Sequence, residues 1–207
     1  MSLVDISVRE LLAAFSSSEP TPGGGSASAL ASAVGASLLV MVAGLPRTRT
    51  GTEEDRQALA SASAVLGDIR LQLTEAIDAD TAAYDQVVRS YKLPKGSDGE
   101  REIRATAIQE GLRAATEVPR RVVRLSASAL ALSERVAAHG HRAAASDVGV
   151  AIALLRAGLR GAKLNVAINL GSLADAAYAT GVRSEIEGLS IEADRAATAA
   201  DTLLGVV

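Results

Sequence analysis

From Pro20 to Pro46 the chain carries no charged side chain. A stretch of that length without charge cannot lie as an ordinary surface helix, which needs a polar face, and it lacks the period-two alternation of a half-buried strand. Two placements remain: a helix surrounded by other helices, or a membrane span, for which the run is about long enough. The run is made of Ala, Ser and Gly more than Leu or Ile, no aromatic belt flanks it, and no second such segment occurs. A central helix in a soluble bundle is therefore the expected fate, with no membrane partner.

The entry to this run is Glu19-Pro20-Thr21-Pro22-Gly23-Gly24-Gly25-Ser26. Two prolines fix φ and exclude helix, three glycines free the backbone to turn tightly, and Ser26 is a suitable N-cap for a helix over Ala27 to Leu45. N–H groups left over at such a helix start, together with those freed by the glycine turn, make a polar corner suited to a carboxylate or phosphate. The plainer alternative is a tight connector whose glycines serve close packing. The stretch is not a Walker loop, since no Gly-Lys-Ser/Thr follows it, and not a dinucleotide fingerprint, since no strand precedes it.

Composition sets the class of core and the partners. The chain is 48% hydrophobic but only 2% aromatic, with no Trp and one Phe, so Ala, Leu, Val and Ile must fill the interior and helices must approach closely. A net charge of −3 and the near absence of stacking aromatics argue against nucleic acid. The lack of Cys rules out disulfides, thiol catalysis and Cys-based metal sites, and fits a reducing cytosol. Met1-Ser2-Leu3-Val4-Asp5 has neither the basic start nor the apolar core of a signal peptide, which points to a cytoplasmic protein.

In chain order the pattern is helical throughout. Ser7 and Glu10 form a capping box opening a helix through Phe15. After Pro46 and a polar loop at Arg47–Thr52, a long helix is expected from Glu53 to Tyr91, stopped by Leu93–Gly99. Helices at Glu100–Thr116 and from Pro119 to Ala138 follow, with the proline in a first turn. His139-Gly140-His141 is the next break; Ser146 caps a helix through Leu173, and a last one fills Ser184–Leu204 after a break at Gly181. The expectation is one all-α domain over 1–207, a mainly antiparallel helical bundle.

Three side chains break the apolar pattern. In the long helix the stripe Leu59, Ala62, Leu66, Ile69, Leu73, Ala76 continues through Asp80 to Ala83 and Val87, so Asp80 occupies a core slot while Asp78 points elsewhere and is expected to be solvated. A carboxylate in that slot either pairs, bridging or capping a neighbour, or has its pKa raised, as at catalytic sites. Asn165 and Asn169, one turn apart, lie beside the apolar face of the helix from Ser146, with Gly158 and Gly161 on the same side. They suit either the hydrogen-bonding edge of a heterocycle or a polar clasp between helices. Asp147 suits the helix dipole. Lys92 and Lys95 flank a turn after the Asp80 helix, Arg120, Arg121 and Arg124 read as a solvated face, and His139 with His141 has no ligand cluster for a metal.

Four segments, PTPGGGSASALASAVGASLLVMVAGL, AIDADTAAYDQVV with YKLPK, AIQEGLRAATEVP, and SDVGVAIALLRAGLRGAKLNVAINL, resemble in order the cyclodeaminase/cyclohydrolase family. The family includes the C-terminal domain of formiminotransferase-cyclodeaminase and bacterial methenyltetrahydrofolate cyclohydrolases. The resemblance implies an all-helical homodimer binding a tetrahydrofolate derivative near the dimer interface, with no metal or other cofactor. It assigns catalysis to Asp80 and substrate binding to Pro22, Gly23, Gly24, Gly25, Ser26, Lys92, Asp147, Asn165 and Asn169. Methenyltetrahydrofolate hydrolysis is the first expectation, formimidoyltetrahydrofolate cyclodeamination the second, and a non-catalytic folate-binding or structural dimer the third. The chain departs from the family at Pro46–Thr50 and at His139–Arg142.

Overall fold

The computed structural model describes residues 2–205. Helix α1, Val8–Phe15, starts on the expected capping box: the Ser7 hydroxyl accepts from the Glu10 N–H, and the Glu10 carboxylate accepts from the Ser7 N–H. Helices α2 (Gly24–Ala43), α3 (Glu53–Tyr91), α4 (Asp98–His139), α5 (Ala145–Gly171) and α6 (Ala176–Leu204) form the bundle, with a 3₁₀ turn at Arg142–Ala144 before α5. The described residues form no strand; Thr48 and Gly140 make an isolated antiparallel bridge. Helix α2 packs on α3 and α5, and α4 packs on α3, α5 and α6. The paired residues show antiparallel neighbours, Ser26 with Asp80 and Asn169 with Ala115 among them, except that α4 and α6 run parallel, joined by Arg113–Asp175 and Arg120–Glu185.

Small residues let the helices approach. A Cβ on Gly158 would stand 2.0 Å from Ser32 Oγ and 2.6 Å from the Ser28 carbonyl oxygen, and one on Gly161 would stand 2.2 Å from Ser28 Oγ. The space beside Gly158 and Gly161 is thus filled by α2, not by a ligand. Gly158→Ala is expected to destabilise the fold by about 1–3 kcal/mol, because the Ser28 backbone cannot yield as a flexible side chain would; a lowered urea midpoint measures it.

The sequence expectations change in several places. The N-cap of α2 is Gly23, not Ser26, and α5 begins at Ala145 with Ala144 as its cap, so Ser146 lies in its first turn. Gly181 does not break a helix, because the Asp175 carboxylate accepts from Tyr178 N–H and starts α6 five residues earlier. The two expected helices around Pro119 are a single α4. A proline inside a helix costs about 3 kcal/mol and frees the carbonyl four residues back. That carbonyl belongs to Ala115, and Asn169 Nδ2 donates to it at 3.0 Å. Asp78 is not merely solvated: it accepts from Ser2 Oγ at 2.8 Å and Leu3 N at 2.6 Å, tying the N-terminal segment to α3.

Helix α2 is long and apolar enough to cross a membrane by length and composition, but half of that window is buried inside the bundle. It is not surrounded as expected. Its inner side, with Ala29, Ala33, Ala36 and Leu39, is sealed against α3 and α5, while Val34 and Met41 on the outer side are each 43% exposed.

Candidate active site

The seam of α3 turns polar where it meets the start of α2. Leu59, Ala62, Leu66, Ile69, Leu73 and Ala76 are buried in the predicted register, and Asp80 follows on the same stripe, half-buried. Its Oδ2 accepts from the Ser26 N–H at 2.9 Å and, at 3.3 Å, from the Ser26 hydroxyl, which also donates to the Ile77 carbonyl oxygen at 2.8 Å. The anion expected at the glycine corner is therefore the protein's own: Asp80 caps α2 from a neighbouring helix. Only glycine permits this approach, since a Cβ on Gly25 would fall 2.0 Å from Asp80 Oδ1.

Two influences on this carboxyl oppose each other. Burial strips water from the charged form and raises the pKa, while the two Ser26 hydrogen bonds lower it; burial prevails, and Asp80 titrates above the ordinary aspartate range. The outcome fits the surroundings, because no cation pairs with Asp80 among the described residues.

Asp80 opens onto a cavity of about 390 Å³ lined by Gly23, Gly24 and Gly25, by Tyr84 and Val87 one and two turns further along α3, by Leu112 and Ala115 of α4, and by Asn165, Ile168, Asn169 and Ser172 of α5. That volume suits a small organic ligand. Both asparagines give an amide proton to a backbone carbonyl, Asn165 to Gly161 at 2.9 Å and Asn169 to Ala115 at 3.0 Å. A carbonyl only accepts, so one Nδ2 hydrogen of each amide is taken by the backbone, and each Oδ1, to which no described residue donates, keeps its acceptor capacity free. The site thus offers a carboxyl, two amide oxygens, a glycine backbone and an apolar rim. A groove of 520 Å³ lined by α5 and α6 is larger, and of its three cations Arg156 pairs with Asp201 and Lys163 with Glu187, while Arg160 forms no ion pair among the described residues.

A family model described as formiminotransferase-cyclodeaminase matches residues 7–188. The chain belongs to the formiminotransferase-cyclodeaminase family. Among family relatives, it is 40% identical over 186 residues to the methenyltetrahydrofolate cyclohydrolase of Methylorubrum extorquens, covering 90% of this chain and 89% of that protein. It is 34% identical over 192 residues to the formimidoyltransferase-cyclodeaminase of Sus scrofa, covering 93% of this chain but only 36% of that longer protein. The crystal structure of formiminotetrahydrofolate cyclodeaminase from Thermotoga maritima matches with a TM-score of 0.86 at 26% identity, over 98% of this chain and 97% of that one.

Of the residues that the family resemblance assigns, the fold brings Gly23, Gly24, Gly25, Asp80, Asn165 and Asn169 to one cavity, with Ser26 directly behind Asp80. Pro22, joined to Thr21 by a cis peptide, belongs to the adjoining turn, whose Pro20 and Thr21 do line the cavity. Two assigned residues stand elsewhere in the chain. Asp147 lies in the first turn of α5, eighteen residues and about 27 Å of helix from Asn165. Lys92 is exposed at the end of α3, about 18 Å along the helix from Asp80, too far to offset its charge. The loops that depart from the family pattern also lie away from the cavity. They hold each other at the opposite end of α3, where Asp55 Oδ1 meets His139 Nδ1 at 2.8 Å and Asp55 Oδ2 accepts from Thr50 N at 2.7 Å. The His139 hydrogen bond, with those from Thr50 and Thr48, holds the Asp55 carboxyl far below the usual range. Tyr84 and Ser172 were not singled out from sequence; Tyr84 sits four residues after Asp80, a spacing that puts the two on one helix face.

Proposed function

We propose that this chain is a folate one-carbon enzyme that hydrolyses 5,10-methenyltetrahydrofolate to 10-formyltetrahydrofolate, with Asp80 moving the proton. The observation that carries this reading is a half-buried carboxyl with raised pKa and no cationic partner, facing a cavity of ligand size. A methenyl folate is itself cationic at the reacting carbon, so ionised Asp80 supplies the missing charge when substrate enters. Water adds to the methenyl carbon and Asp80 takes a proton from it. The bond from that carbon to N5 then breaks, Asp80 returns its proton to N5, and the hydroxyl proton leaves to solvent, which leaves the formyl group on N10. Asn165 and Asn169 accept from N–H donors of the pterin, and the glycine corner lets the ring approach the backbone. The likeness to the Methylorubrum cyclohydrolase, which this chain matches over nearly its full length, supports hydrolysis over the alternative.

Cyclodeamination is the second reading, favoured by the similarity to the Thermotoga structure. There N10 attacks the protonated formimidoyl carbon, the same carboxyl takes the N10 proton and gives it to the departing nitrogen, and ammonia leaves to give the methenyl cation. Spectroscopy separates the two: the near-ultraviolet band of methenyltetrahydrofolate should disappear faster with enzyme than in buffer. If it does not, while formimidoyltetrahydrofolate yields ammonia, the second reading replaces the first. Folate binding without either turnover would leave a non-catalytic binding protein.

The same reading takes residues 1–207 as one cytoplasmic domain that needs no metal or redox cofactor, since each step moves only protons and the substrate's own bonds. It also takes the protein to be a homodimer. What supports dimerisation is the uncharged outer stripe of α2, with Leu30, Val34, Leu38 and Met41 at helical spacing, Leu30 and Leu38 half-buried and Val34 and Met41 exposed. Light scattering at micromolar concentration is expected to give twice the chain mass of 21.1 kDa; a monomer mass would contradict the dimer and leave the cavity chemistry standing.

A further inference from the structure

We infer that Pro119 is a positioning residue for the cavity, acting through Asn169. A proline in mid-helix has no N–H to give to the carbonyl four residues back, and here that carbonyl is Ala115's. Both partners sit at the cavity wall: Ala115 and Asn169 line it, and Asn169 Nδ2 donates to Ala115 O at 3.0 Å across the α4–α5 contact. An N–H at residue 119 would share that oxygen as the helix's own donor and loosen the amide's hold on it. The proline leaves an acceptor whose best partner is a side-chain amide arriving from α5. Because a carbonyl only accepts, the bond also fixes which end of the amide faces it. Asn169 Oδ1 is left free, since no described residue donates to it.

The consequence is chemical. With the free amide oxygens of Asn169 and Asn165 and the Asp80 carboxyl, beside one remaining N–H on each amide, the cavity lining can accept from the N–H donors along the edge of a nitrogen heterocycle. Free to flip, Asn169 would show the same edge a donor half the time. Pro119, buried and not part of the cavity lining, sets the orientation of an amide that is.

This inference rests on the folate reading for its kinetic arm, but not for its structural one. In Pro119→Ala the restored N–H competes for Ala115 O. The expected result is a KM for the folate substrate raised about 3- to 10-fold, the size of one weakened hydrogen bond, with kcat within about twofold and a thermal midpoint not lowered. Asn169→Ala should raise KM at least as much, and adding Pro119→Ala to it should change KM no further. Multiplicative effects in the double variant would overturn the inference. The Asn169 side-chain NH₂ resonances, assigned by their loss in Asn169→Ala, should shift in Pro119→Ala without ligand, and unchanged resonances would overturn it too. That NMR comparison stands even if the wild type turns over neither folate, so failure of the functional reading and failure of this one are told apart. If Pro119→Ala does not fold, Pro119→Val restores the same N–H with a side chain nearer proline's volume and must show the same Asn169 amide shift and KM rise; an unchanged amide shift would overturn the inference.

Discussion

Asp80→Asn is expected to abolish turnover and to raise thermal stability at neutral pH. Loss of a proton-transfer group costs typically about 10²- to 10⁴-fold in kcat. Asparagine keeps an oxygen that can accept from the Ser26 N–H, so the start of α2 should stay in place. The stability sign follows from the direction of the pKa shift. Because burial raises the folded-state pKa of Asp80, the unfolded chain ionises first as pH rises, and the fold loses stability until the folded pKa has been passed. Below the ordinary aspartate value of about 3.9 both states are protonated and nothing is lost. Asparagine never ionises, so the variant's advantage in thermal midpoint should be present at pH 7 and vanish as the pH falls through the acid range. An inactive variant less stable than wild type at pH 7 would mean that Asp80 is held for structure.

Gly25→Ala should be nearly as damaging to activity by a different route. The added Cβ would meet Asp80 Oδ1 at 2.0 Å and Cγ at 2.4 Å, so either the first turn of α2 or the carboxyl must move. Displacement of a reacting group by about 1 Å costs on the order of 10²-fold in rate. Overpacking should cost about 1–3 kcal/mol in stability as well. Gly24→Ala is the control, because its Cβ would stand 3.7 Å from Asn165 Nδ2, an ordinary contact. Steady-state rates and urea midpoints for the pair decide the matter: equal losses in both variants would show that the corner is merely flexible, not shaped around Asp80.

The part of this site legible in the sequence is the part fixed by helical register. The alternation of three and four from Leu59 to Val87 placed Asp80 on the buried seam before any coordinates, and the same period put Asn165 and Asn169 side by side. Features that depend on a distant partner were not legible. Pro119 reads as a helix start because its compensating donor, Asn169, lies fifty residues downstream. Ser26 reads as an N-cap because serine commonly is one, whereas the cap of α2 comes from Asp80, fifty-four residues away. Gly158 and Gly161 could have faced a ligand or a helix, and only the path of α2 chooses between them. Asp147 and Lys92 came from matching motifs to a family; along straight helices the motif says nothing of distance, and within one chain both fall outside the cavity.

The carboxyl of Asp80 can be titrated directly by ¹³C NMR, its resonance assigned by its absence in Asp80→Asn. The account predicts a midpoint above the ordinary aspartate value of about 3.9, and a lower midpoint when a cationic folate fills the cavity. A midpoint at or below the ordinary value in the free protein would contradict it, because the Ser26 hydrogen bonds would then outweigh burial and the carboxyl would have no raised affinity for a proton to take and return.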